Sequence, residues 1–347
     1  MKLPDIRMAD LEGKRVLMRV DFNVEFENGK PKELHKIKAV KDTLDFVLSK
    51  KGVKVSLLSH LGRPEKKSSE FSFRNFYKEI GIILERKPVF VSECVGGDVK
   101  KAMEKLEENG VLMLENVRFY REDEMEDAIF AGKLAENFDI YVNEAFGVSH
   151  RRHSSLVKIA EILPSFAGIN LIKETEELAN LREKFKKPAV AIIGGAKIET
   201  KVPLIDFFSK NYDQVLVGGK LGLEAEKQGL VFSENVFIPV DYLGNGLDIG
   251  PQTVDKFGTY IKEAKTILWN GPLGKFENPE FKKGTVEVLG KIILNKEAFK
   301  VAGGGETVQV LEEGGWLNEF DFVSTGGGAM LEFLVKGTLP ALEALKH

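Results

Sequence analysis

Short, nearly continuous apolar runs recur along this chain, at residues 16–20, 53–58, 89–91, 111–114 and 140–142, then at 190–193, 215–217, 236–238, 266–269, 300–301 and 320–323. Runs of this length without polar alternation suit strands buried on both faces. Between most of them lie charged, amphipathic stretches of helical length, clearest at residues 36–50, 98–108, 127–137, 254–264 and 279–294. Strand alternating with helix predicts an α/β fold with parallel sheets built from βαβ units.

Glycine divides the chain. Only 10 of its 34 glycines lie in residues 1–165, against 24 in residues 166–347, so the two halves use different turn chemistry. Just past that border, residues 172–185 (IKETEELANLREKF) read as one charged helix closed by Lys186-Lys187-Pro188. The pattern predicts one domain over residues 1–165 and a second over residues 166–334. Helix 172–185 would act as the hinge between them, and the cleft they enclose would be the active site.

In the first half the strand ends run into turns loaded with Arg, His and Asp. These are Arg19-Val20-Asp21-Phe22-Asn23, Ser59-His60-Leu61-Gly62-Arg63-Pro64, Leu114-Glu115-Asn116-Val117-Arg118-Phe119, and Asn143 through His153. In an open α/β sheet the C-terminal strand ends gather on one edge. That edge would collect His60, Arg63, Arg118, His150 and Arg151, with Asp21 and Asn23 able to bond a substrate hydroxyl. Arginine's planar fork suits carboxylate and phosphate, so the pattern predicts a small, highly negative ligand.

In the second half the turns are glycine-rich: Asn270-Gly271-Pro272, Gly303-Gly304-Gly305 and Gly326-Gly327-Gly328 each follow an apolar run. Strand, glycine turn and helix start together offer bare N–H groups and a positive helix end to phosphate. Val190–Ile193 leads into Gly194-Gly195-Ala196-Lys197, and Lys201 follows four residues later. If a helix starts at this turn, both ammonium groups share a face and suit a polyphosphate. The P-loop pattern is absent, and Gly244-Asn245-Gly246-Leu247-Asp248-Ile249-Gly250 misses the dinucleotide fingerprint by one residue.

Composition narrows the classes. A 43% hydrophobic, 30% charged chain is of globular type, and a net charge of −3 argues against a nucleic-acid partner. Cys94 is the only cysteine, so no intramolecular disulfide forms. No apolar run reaches membrane-spanning length. The expectation is a cytoplasmic protein acting on small molecules, without membrane or nucleic acid.

Taken in order, RVDFN, SHLGRP, LENVRF, NEAFGVSHRRHSS, IIGGAKIETK, DIGPQT, WNGPLGKFE, VAGGGET and STGGGA resemble the phosphoglycerate kinase family from Arg19 to Ala329. The resemblance implies two Rossmann-like domains and a monomer, with the C-terminal segment, residues 335–347, packed back on the first domain. It implies reversible phosphoryl transfer between ATP, carried with Mg2+, and the carboxylate of 3-phosphoglycerate. By the same resemblance Asp21, Asn23, Lys36, His60, Arg63, Arg118 and Arg151 hold phosphoglycerate. Gly194, Gly195, Gly218, Pro272 and Glu277 line the adenosine site. Lys197 meets the transferred phosphoryl group and Lys201 the nucleotide phosphates, with Asn270, Gly303, Gly304, Gly305 and Thr307 beside them. The Gly326–Gly328 turn, with Gly327 at its centre, and Gly304 serve the migrating group, and Glu306 takes the metal.

The chain departs from the family at four points. Lys36 stands where the family has Arg, which keeps the charge but loses the fork. Glu306 stands for the metal-binding Asp. The stretch from Gly218 to Asp248 is shortened, with Lys220 at a usual glycine, and Lys275 replaces an apolar residue. Lys36 and Glu306 leave a second expectation open, a weak or inactive relative that binds phosphoglycerate or nucleotide as a sensor.

Overall fold

The apolar runs of the first half pair side by side. In the computed structural model, which describes residues 2–27 and 29–346, six strands form one parallel sheet. They are Arg15–Arg19, Lys54–Leu58, Val89–Val91, Val111–Leu114, Ile140–Asn143 and Ser165–Ala167. Counted along the chain, their order across the sheet is 3-4-2-1-5-6. A second six-stranded parallel sheet has Ala189–Ile193, Gln214–Val217, Val236–Phe237, Thr266–Asn270, Phe299–Gly303 and Phe322–Ser324 in the order 3-2-1-4-5-6. That is the strand order of a doubly wound Rossmann-type sheet. The two parallel sheets anticipated from the sequence are present.

Each sheet is buried by its own helices. Val16, Met18, Val55, Leu57 and Val142 are sealed in one core, and Val190, Ile192, Ile267 and the fully buried Trp269 in the other. The chain divides into two compact units. One is built from the chain up to Glu177 together with the segment from Thr338 onward, and the other spans Leu178–Gly337. The division falls inside helix Ile169–Glu183 rather than at residue 166. Helix Gly327–Lys336 runs past residue 335 and ends on left-handed Gly337, so the return to the first unit begins at Thr338. There Ala341 N–H bonds Ser149 O at 3.1 Å. The outermost ends of the expected domain ranges, Met1 and His347, lie outside the described residues.

Three local readings change. Residues 36–50 are not one helix but Leu34–Lys38 and Lys41–Leu48, because the ladder tightens at Val40, whose N–H bonds Ile37 O. Strand Ser165–Ala167 and helices Tyr77–Ile83 and Gly219–Lys227 were not anticipated as elements, whereas helices Gly305–Glu313 and Gly327–Lys336 begin at the glycine turns where helix starts were expected. Lys197 and Lys201 do not share a helical face. Lys197 is extended, a 3-10 turn covers Ile198–Thr200, and the α-helix starts at Val202. Pro203 explains this, since proline fits a helix's first turn and disfavours helical geometry before it.

Candidate active site

In the first unit, strand register aligns Arg19 with Asn143 and Leu58, so three of the motif turns leave one sheet edge together. Ser59 Oγ accepts from Phe22 N–H at 2.9 Å, and Asn23 Oδ1 accepts from Gly62 N–H at 2.8 Å. These bonds tie the first two turns to each other. Asn116 links the third, accepting from Leu61 N–H at 3.1 Å and donating to Leu61 O at 2.8 Å.

The result is a group of like charges held close. His60 is buried, 3.8 Å from Asp21, and its pKa lies well below the ordinary imidazole value. Burial is the largest cause, and the Arg19, Arg118 and Arg151 charges add to it, so His60 is neutral. Arg118 donates to Gly62 O at 3.2 Å and lies 3.3 Å from Glu124, while its buried Nη2 has no hydrogen-bond partner among the described residues. Burial lowers the Arg151 pKa, and the charge of exposed Arg63 lowers it further. Arginines stay charged despite such shifts, so this edge is a standing cationic field awaiting an anion. Lys36 reaches the same place, 3.5 Å from Asn23 O, but is paired with Glu33 at 2.7 Å.

In the second unit the sheet order reverses between Ala189–Ile193 and Thr266–Asn270, the switch point where ligands bind in such sheets. Two cavities open there. One of about 360 Å³ is lined by Gly194, Lys197, Lys201, Asn270, Thr307 and the turns at Gly304–Glu306 and Gly327–Gly328. Helices Gly305–Glu313 and Gly327–Lys336 both begin on it, so two positive helix ends and two lysines face one volume. Lys201 donates to Asn270 Oδ1 at 2.6 Å, and burial pulls its pKa down to about 8 against the opposing Glu306 charge. Lys197 is exposed.

The second cavity, about 310 Å³, shares Gly195, Ala196 and Glu306 with the first. Pro272, Leu273, Phe276, Leu247 and Glu277 are among its walls. Both walls hang on the first turn of helix Lys283–Leu294. Asp248 accepts from Gly284 N–H at 2.8 Å, fixing the 246–248 side. Thr285 Oγ1 accepts from Leu273 and Gly274 N–H at 3.0 and 3.1 Å, fixing the other. Burial pushes the Asp248 carboxyl up to about 6.

Two glycines assigned to nucleotide line neither cavity. A Cβ on Gly303 would lie 2.2 Å from Met330 Sδ, and one on Gly218 would lie 3.1 Å from Gly194 Cα. Both keep backbones and side chains close rather than touching the open space. Conversely, sequence reading passed over buried groups behind the cationic edge. Arg19 is fully buried and donates to Ser155 Oγ at 3.2 Å. Asp123, equally buried, accepts from Ser155 N–H at 2.8 Å and lies 3.6 Å from His153, whose pKa falls to about 3. The only sequence signal for Asp123 was an acidic residue in an otherwise solvent-type helix.

The family model described as phosphoglycerate kinase matches residues 6–227 and 224–337. The chain belongs to the phosphoglycerate kinase family. It is accordingly a kinase. The curated phosphoglycerate kinase of Leptospira biflexa is 37% identical over 392 aligned positions, covering 99% of this chain and 98% of the relative. That of Dictyoglomus turgidum is 34% identical, with 99% and 98% covered. Among solved structures, the phosphoglycerate kinase from Pyrococcus horikoshii OT3 superposes with a TM-score of 0.88 at 28% identity, covering 99% and 98%. That from Coxiella burnetii gives 0.81 at 29%, with 99% of both covered. The Leptospira alignment has more positions than the 347 residues here, and the two family matches meet at residues 224–227, within the region read as shortened.

Proposed function

We propose that this family member is an active phosphoglycerate kinase, transferring the γ-phosphoryl group reversibly between ATP and the carboxylate of 3-phosphoglycerate, with Mg2+, in glycolysis and gluconeogenesis. The observation that carries this reading is the phosphate cavity, where two helix N-termini and two lysines meet beside an apolar base-sized cavity. The cationic edge of the first unit supports it as the phosphoglycerate site.

The attacking carboxylate is ionised at neutral pH, so no general base is required. A neutral His60 is consistent with a hydrogen-bonding role. Arg63, Arg118 and Arg151 supply charge to the phosphoglycerate, with Asp21 and Asn23 at its hydroxyl. In the nucleotide half, Lys201 and the Gly304–Gly305 N–H groups hold the phosphates. Lys197 and the Gly327–Gly328 N–H groups meet the group in flight, where charge spreads over its equatorial oxygens.

Mg2+ is commonly held by one or two carboxylates plus the substrate's phosphates. Glu306 is the one carboxylate on the phosphate cavity, and no cluster of three metal-ligating side chains occurs among the described residues. This fits an ion that arrives with the nucleotide, which when bound neutralises β- and γ-phosphate charge. We place the protein in the cytoplasm as a monomer. Its one cysteine is buried, and no helix among the described residues is long and apolar enough to cross a membrane.

The test is acyl-phosphate formation from ATP, 3-phosphoglycerate and Mg2+, trapped as the hydroxamate. Product dependent on both substrates is expected, and folded protein giving none overturns the reading. One observation favours the weak-relative alternative: the Lys36 ammonium is already neutralised by Glu33. Lys36→Arg should then leave turnover unchanged or raise it in the active-kinase reading, because the fork reaches both Glu33 and substrate. A sharp fall in kcat would mean the pocket is rebuilt around lysine.

A further inference from the structure

Three of the turns that carry the cationic edge meet again behind it, at one carboxylate. Asp123 lies in the short helix Arg121–Glu124, which directly follows the Arg118 turn. Its backbone carbonyl accepts from Ser154 N–H at 2.7 Å and its Oδ1 from Ser155 N–H at 2.8 Å. Beside them, Glu122 O accepts from Ser154 Oγ at 2.7 Å. These three bonds staple the Arg118 turn to the segment that follows Arg151. Ser155 Oγ in turn accepts from Arg19 Nε at 3.2 Å, which ties in the end of the first strand.

The charges gathered here repel one another. Arg151 and Arg19 both oppose the Arg118 charge, and Arg19 is wholly buried. Like charges in a low dielectric push apart the turns that carry them until an anion arrives. Asp123 is the wholly buried acid among these cations, since Glu124, the other acid facing Arg118, is exposed. Burial raises the Asp123 pKa, while the Arg19 charge, the Ser155 bonds and the Arg118 charge pull it back. Its Oδ2 has no hydrogen-bond partner among the described residues and lies 3.6 Å from His153 Nδ1, so this oxygen serves through its charge.

We propose that Asp123 is a positioning residue for phosphoglycerate, holding the Arg118 and Arg151 turns at the spacing the substrate's anionic groups require before it binds. The proposal rests on the assignment of this edge to phosphoglycerate. Arg63 stands in a turn with no hydrogen bond to Asp123 among the described residues, so it lies outside the staple. Preorganised arginines favour binding, so the loss on altering Asp123 should fall on phosphoglycerate affinity. Electrostatics alone predicts the opposite sign, because removing a negative charge behind a cationic edge should tighten an anion.

The experiment measures 3-phosphoglycerate and ADP dissociation constants by calorimetry, with kcat and KM, in the unaltered chain and Asp123→Asn. The substitution is repeated in Arg118→Lys and Arg63→Ala backgrounds. Asp123→Asn should raise the Kd and KM for 3-phosphoglycerate about tenfold, within the span of coupled neighbours. The ADP Kd should stay fixed, and kcat at saturation should fall less than about threefold. The same tenfold loss is expected with Arg63→Ala, but less than about threefold with Arg118→Lys, since Asp123 acts through that arginine. A 3-phosphoglycerate Kd that is unchanged or lower, an equal loss for ADP, or full additivity with Arg118→Lys overturns the proposal. Should Asp123→Asn not fold, Ser155→Ala decides, because it keeps the carboxylate and the backbone bond and removes the Arg19 link. A rise in 3-phosphoglycerate Kd with ADP unmoved supports the proposal, and no rise overturns it. Should 3-phosphoglycerate not bind the unaltered chain, the kinase reading fails separately and inorganic phosphate becomes the probe of the same arginines. Phosphate binding that weakens in Asp123→Asn supports the positioning role, and phosphate binding that is absent, unchanged or tighter overturns it.

Discussion

At the scale of single residues, the two lysines of the Gly194–Lys201 turn are chemically alike and differently placed. Lys201 is tied to Asn270 with its pKa pulled down to about 8, while Lys197 is exposed on the same cavity. A pre-bonded lysine serves ground state and transition state alike, whereas an exposed one has contact to gain as the phosphoryl group moves. Lys197→Ala is therefore expected to lower kcat by at least a hundredfold with less than fivefold change in nucleotide Kd. Comparable losses in both would assign it to uniform binding instead. The engagement of Lys201 was not legible from residue order, because its partner Asn270 and the opposing Glu306 lie far along the chain. The identity of the basic residues was legible: Arg63, Arg118 and Arg151 stand in turns that directly follow strands.

At the scale of elements, helix Ile169–Glu183 shows how a strand-end motif reaches beyond its own turn. Glu144, adjacent to the last residue of strand Ile140–Asn143, accepts from Asn170 and Leu171 N–H at 2.9 and 3.0 Å and from Thr43 Oγ1 at 2.6 Å. It supplies acceptors that the helix start lacks within itself. Gly168 is required there, since a Cβ would fall 2.0 Å from Glu144 Oε2. Burial nonetheless pushes the Glu144 carboxyl up to about 7, the three donors opposing it. With its folded pKa above the unfolded value near 4.5, the folded state binds the extra proton between those limits. Stability should thus fall as pH rises from about 4.5 to 7, by on the order of 3 kcal/mol, and then level off. Urea midpoints across pH 4.5–8 measure this, and Glu144→Gln should flatten that part of the profile. An unchanged slope in the variant would assign the dependence to other groups. The sequence showed the helix but not its anchor, because a carboxylate and a helix start 26 residues apart carry no local signature.

At the scale of the whole molecule, the chain leaves its first unit and later returns to it. Leu339, Leu342 and Leu345 are buried in the returning segment, and Ala341 bonds Ser149, next to His150 and Arg151. Leu342→Ala should cost about 3 kcal/mol in the stability of that unit, the usual range for a buried leucine. Because the segment braces the Ser149 turn, the KM for phosphoglycerate should rise severalfold while that for nucleotide stays fixed. Equal changes in both constants would mean a general loss of fold rather than of this support.

What the sequence determined by itself was everything with a chain-local cause. Buried strands show as apolar runs, glycine turns as glycine, and the ordered motifs from Arg19 to Ala329 carry the family. Tertiary structure decided which chemistry each of those residues has. It made His60 neutral, engaged Lys201, turned Gly218 and Gly303 into packing positions and set Asp123 behind the cationic edge. The reason is physical: backbone preference acts over a few neighbouring residues. Desolvation and charge act through space, on groups that the fold alone brings together.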